Sequence, residues 1–113
     1  MRVPVIPHIT VAALLLLAAG VSARADDMPV IKVEMRDGVI LPAIIEVPAN
    51  TRFKLEISNT GQSPVEFEST ELKREKALAA GSTSAIVFRT LDPGTYQVFD
   101  DFHPEAKATL VAK

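Results

Sequence analysis

From residue 30 onward, apolar and polar side chains alternate in short runs. Ile31, Val33 and Met35 are interleaved with Lys32, Glu34 and Arg36, the period of two that a half-buried strand requires. Phe53, Leu55 and Ile57 alternate with Arg52, Lys54 and Glu56 in the clearest instance. Ile44–Val47 is a short apolar run bounded by Pro42 and Pro48, which suits a buried strand with punctuated ends. Val65 and Phe67 alternate with Glu66 and Glu68, Ile86 and Phe88 give a weaker signal, and Tyr96–Phe99 and Ala108–Val111 complete the set. Turn chemistry separates the runs at Asp37-Gly38, Pro48-Ala49-Asn50, Asn59-Thr60-Gly61, Ala80-Gly81-Ser82 and Asp92-Pro93-Gly94. About seven strands at roughly ten-residue spacing, with no strong helical period, predict an all-β Greek-key β-sandwich. Leu91-Asp92-Pro93-Gly94-Thr95-Tyr96 has the form of a tyrosine corner. Glu71–Ala80 fits either one exposed helical turn or an extended connection.

The beginning of the chain follows another pattern. Arg2 precedes an apolar run from Ile9 to Val21, which ends at Ala23-Arg24-Ala25. A charged start, an apolar middle and a small-residue cleavage site predict an export signal over residues 1–25. The run is shorter than the roughly twenty residues that span a bilayer as a helix, so no stable membrane insertion is expected once the signal is cleaved. Residues 26–113 then form one domain. The full chain carries 12 basic and 14 acidic residues, a net charge of −2. Loss of Arg2 and Arg24 makes the mature domain more acidic still, and loss of His8 leaves His103 as its one histidine.

These numbers exclude several chemistries. An acidic surface offers no footprint for nucleic acid. With no cysteine in the chain, disulfides, thiol catalysis, iron–sulfur clusters and the thiolate of a blue-copper centre are all absent. No Gly-x-Ser-x-Gly motif supports nucleophilic hydrolysis.

Two stretches carry candidate chemistry. The first is Gly94–Pro104, where a strand runs into a loop holding Asp100, Asp101 and His103. Imidazole is the commonest protein metal ligand, and carboxylates complete sites for harder ions. The plainer alternative is a solvated acidic loop. The second is Glu66-Phe67-Glu68-Ser69, where Glu66 and Glu68 share one strand face about 7 Å apart along the chain. They either grip a cation or face water. Met35 shares its face with core residues and reads as core.

The order of these blocks resembles the cupredoxin family of small Greek-key copper proteins. Tyr96-Gln97-Val98-Phe99-Asp100-Asp101-Phe102-His103 matches the family's Tyr-x-x-x-Cys-x-x-His run, with Asp100 at the copper-binding Cys. The position of the family's Met falls near Ala106 or Lys107, and Glu66 is the donor nearest to the missing first histidine. Within the family, Glu66-Phe67-Glu68-Ser69, Leu72, Glu75-Lys76, Gly81, Leu91-x-Pro-Gly-x-Tyr96 and Asp101-Phe102-His103-Pro104 resemble the cupredoxin-like periplasmic proteins of bacterial ferrous iron uptake. They are also similar to the cupredoxin-like domain of the EfeO group. That resemblance implies a periplasmic protein that binds an iron or copper ion through His103, Glu66, Glu68, Asp100 and Asp101, with Glu75 as an extra donor. It implies a periplasmic iron-binding protein and an inner-membrane iron permease as partners, and a part in oxidising or handing over iron rather than an independent enzyme. Two other readings stand beside it: a Cu(II)-binding or delivery protein, and a metal-free docking module using the acidic face and the Phe99/Phe102 loop.

Overall fold

The computed structural model describes residues 2–5 and 28–113. The export signal expected over 1–25 lies, apart from residues 2–5, outside the described residues. Among the described residues nine strands follow one another: β1 Val30–Arg36, β2 Val39–Leu41, β3 Ile44–Val47, β4 Phe53–Asn59, β5 Val65–Ser69, β6 Arg74–Leu78, β7 Thr83–Phe88, β8 Gly94–Asp100 and β9 His103–Ala112. They form a four-stranded sheet ordered β2-β1-β4-β7 and a five-stranded sheet ordered β3-β9-β8-β5-β6. The pairs β1/β4 and β3/β9 are parallel, and the remaining pairs are antiparallel. Strands neighbouring in space but distant in sequence give the Greek-key sandwich that the alternation predicts.

The alternation also sets the core. Val33 and Met35, Phe53, Leu55 and Ile57, and Ile86 and Phe88 turn inward from the first sheet. Val65, Phe67, Val98 and Leu110 meet them from the second, and the rings of Phe53 and Phe88 stack with centroids 5.1 Å apart. Met35 is fully buried, as its place among core positions predicts. The tyrosine corner is formed: the Tyr96 hydroxyl donates to the Asp92 carbonyl at 2.7 Å. No helix forms over Glu71–Ala80. A turn leads into β6, whose register sets Glu75 opposite Glu68 and Arg74 opposite Ser69.

Candidate metal-binding site

One end of the sandwich gathers three connections: the β1–β2 turn, the β4–β5 loop and the β8–β9 turn. Asn59 closes β4 and organises the loop after it. Its buried side-chain amide donates to the carbonyls of Ser63 and Leu78, and its oxygen accepts the Gly61 N–H at 3.0 Å. Across the loop lies the carboxylate of Asp37, which accepts the Ser63 hydroxyl at 2.7 Å and the backbone N–H groups of Gln62 and Ser63. Gly61 leaves room for this carboxylate, because a Cβ on it would lie 2.8 Å from both Asp37 oxygens and displace them. The hydrogen bond from the Ser63 hydroxyl, then that from the Gln62 backbone, holds the Asp37 carboxyl below its usual value.

Asp100 ends β8 with its carboxylate buried, just after an irregularity in the β8/β9 register. One oxygen accepts the Glu66 N–H at 2.9 Å and the Phe102 N–H at 3.0 Å. The other lies 2.9 Å from Nδ1 of His103. Nε2 of the same ring is 3.3 Å from the Ser63 hydroxyl oxygen. Asp100, His103, Ser63 and Asp37 thus form one continuous chain of contacts. Its first three members stand in the order of a hydrolytic triad, but the Ser63 proton is directed to Asp37, and a triad is recognised by the role of each group. This geometry is a structural brace between loops.

The second assembly lies on the other face of the same sheet. Val65, Phe67 and Ser69 point inward from β5, so Glu66 and Glu68 point outward and are half-buried. The Asp101 N–H donates to the Glu66 carbonyl at 2.9 Å, which fixes the β8–β9 turn beside β5. Ligand atoms of Glu66, Glu68 and Asp101 consequently lie within 4.8 Å of one another. Glu75 adds its charge from β6. Burial, then repulsion from Glu75, Asp101 and Glu68, raises the Glu66 carboxyl above its usual value. Burial, then repulsion from Asp101 and Glu75, does the same for Glu68. Crowded carboxylates that repel one another are held together more easily when a cation sits among them.

The structure therefore divides the six residues expected to share a site. Glu66, Glu68 and Asp101 come together, and Glu75 borders them. Asp100 and His103 pair with each other, and His103 is outside the carboxylate trio. No local pattern marks Asp37 and Ser63 as members of the brace, since these contacts span 26 to 40 residues.

The family model of the cupredoxin-like domain matches residues 8–112. The chain belongs to this family. Among curated proteins, this cupredoxin-like chain is 36% identical over 80 residues to an uncharacterized protein of Rickettsia prowazekii (strain Madrid E); the match covers 71% of the chain and 64% of that relative's length. Among solved structures it resembles the metal-binding domain of the Streptococcus pneumoniae Cu(I)-exporting P-type ATPase, crystallised with Cu(I), with a TM-score of 0.65, 13% identity and coverage of 74% of this chain and 84% of that one. Reduced auracyanin from Roseiflexus castenholzii superposes with a TM-score of 0.61 at 13% identity, covering 74% of this chain and 96% of auracyanin. A purple cupredoxin from Nitrosopumilus maritimus gives 0.56 at 16% identity, covering 73% and 98%. Identities this low establish the shared fold alone.

The residues of this cupredoxin-like domain do not fit a thiolate copper centre. Asp100 stands at the thiolate position with both oxygens committed to the brace. Near the expected Met position stand Ala106, a small buried residue of the core, and Lys107, which is exposed, and neither offers a thioether. The chain's grouped donors are hard carboxylates, which favour Fe or Cu(II) over Cu(I).

Proposed function

We propose that this cupredoxin-like protein is exported to the periplasm and takes up iron as cargo on Glu66, Glu68 and Asp101, within a ferrous iron uptake system. The observation that carries the reading is the convergence of three carboxylates within 4.8 Å on the open face of a sheet. Oxygen donors suit Fe(II) and Fe(III). A site on a sheet face leaves coordination positions open to an acceptor, which suits transfer rather than storage. Glu75 supplies further negative potential at the rim. The charged start, apolar run and small-residue cleavage site support export, and the Glu66–Ser69 and Asp101–Pro104 blocks support a place beside a periplasmic iron-binding protein and an inner-membrane iron permease. In this role the protein hands iron over, or holds it while a partner accepts an electron.

Calorimetric titration of the purified protein with Fe(II) under anaerobic conditions, Fe(III) and Cu(II) tests the reading. One iron per chain is expected for the wild type, with binding abolished in Glu66→Gln/Glu68→Gln and retained in His103→Ala. Cu(II) binding without iron binding would replace iron handling with copper delivery. The exposed Phe102 side chain beside Asp101 favours the remaining reading, a docking module; a wild-type chain that binds none of the three ions points there.

A further inference from the structure

The two sheets also meet at a second seam, where the edge strands β6 and β7 lie side by side. A cavity of about 720 Å³ opens there, lined by Arg52, Arg74 and Arg89 around Leu72, Phe88 and Leu91. Each arginine reaches it from a different place: before β4, at the start of β6 and after β7. Residues 28–113 contain four arginines and six lysines; three of the arginines line this cavity, whereas no lysine does. No carboxylate lines it. Among the described residues, none of the three guanidiniums makes an ion pair. In an acidic protein this is a local reversal of sign.

The cavity is also preorganised. The Arg74 guanidinium donates to the Val87 carbonyl at 3.0 Å and lies 5.0 Å from the centre of the Phe88 ring. That stacking and hydrogen bond hold one fork in place before a ligand arrives. Leu72 and Leu91 pack against the core and give the cavity an apolar floor. We infer that this cavity binds a phosphate group carried on an apolar body. Arginine forks match oxyanions two hydrogen bonds at a time. Three forks call for at least three acceptor oxygens, which a phosphate monoester presents and a single carboxylate does not. The floor of Leu72 and Leu91, which are only partly buried, receives the hydrocarbon attached to it. A soluble phosphomonoester and the head group of phosphatidic acid, the phospholipid that is itself a monoester, share this chemistry.

The test is a titration of the protein, followed by backbone and arginine Nε–H nuclear magnetic resonance, with inorganic phosphate and with phenyl phosphate. Co-sedimentation with phosphatidylcholine vesicles, with and without phosphatidic acid, runs in parallel. Saturable shifts at Arg52, Arg74, Arg89 and residues 87–91 are expected, with phenyl phosphate binding more tightly than inorganic phosphate. In Arg52→Ala/Arg89→Ala, whose unchanged backbone spectrum elsewhere reports an intact fold, affinity should fall roughly tenfold or more, because two charge-assisted contacts are lost. Sedimentation with phosphatidic acid vesicles that the double variant loses assigns the lipid source; binding of the soluble ester alone assigns the soluble source. Absence of saturable binding to phenyl phosphate and to the vesicles overturns the inference, and so does equal binding by wild type and double variant.

Discussion

The carboxylate of Asp100 is buried and accepts from two backbone N–H groups, and its second oxygen pairs with a ring nitrogen. Removing it leaves those partners without their acceptor. Asp100→Ala should lower stability by about 2 kcal/mol, the usual cost of leaving buried donors without their acceptor. Asp100→Asn keeps an acceptor oxygen and should cost less; urea denaturation of the three proteins checks the order. The parity of β8 contains the reason, since Val98 and Asp100 both face inward. Sequence spacing put Asp100 at a ligand position, but spacing does not say whether a carboxylate there is free. Its commitment depends on the Glu66 backbone, 34 residues away, and no local pattern encodes that approach. Glu66 and Glu68, by contrast, were legible as a pair because strand alternation alone puts them on one face.

At the scale of elements, the strands that the sequence revealed are those with one face in the core. β4 buries every second residue from Phe53 to Asn59 and carries the clearest alternation. β2 has only three residues, too few to show a period. β6 is an edge strand that is exposed along most of its length, with only Leu78 buried. Its Arg74-Glu75-Lys76 run therefore follows the need of an edge to stay charged and unpaired with other chains, and this resembles a solvated helical turn. The tyrosine corner shows the opposite case, a short motif whose geometry follows from its residues. Tyr96→Phe removes one hydrogen bond, to the Asp92 carbonyl, and should cost about 1 kcal/mol. For a domain of this size that is a fall of roughly 4–8 °C in the thermal midpoint, readable by circular dichroism.

Across the molecule, charge is distributed unevenly and couples the fold to pH. Glu66 and Glu68 titrate above their usual 4.5 in the folded chain. The folded state therefore holds these protons more tightly than the unfolded chain does. Their ionisation opposes folding, and this penalty is full above the folded values and fades as pH falls through them toward 4.5. Glu66→Gln/Glu68→Gln should accordingly raise the thermal midpoint of the metal-free protein at pH 7, with a smaller gain near pH 4.5. Asp37 acts with the opposite sign. Its carboxyl lies below the usual 3.8, so the stability it contributes is present above that value and is lost as pH falls further. Midpoints measured with a chelator from pH 3 to 8 separate the two effects. Cation binding at the trio should weaken over the same interval in which Glu66 and Glu68 gain protons.

The order of strands in the larger sheet has a temporal consequence. β9 is the last strand to be made, yet it is an interior strand, and β3 joins the sheet only through it, in parallel. A nascent chain that has not reached residues 103–112 cannot complete this sheet, however long its earlier strands wait. Long-range pairing of this kind is also slow to form. The larger sheet thus closes only after β9 has emerged, whereas the four-stranded sheet of β2, β1, β4 and β7 does not wait for it.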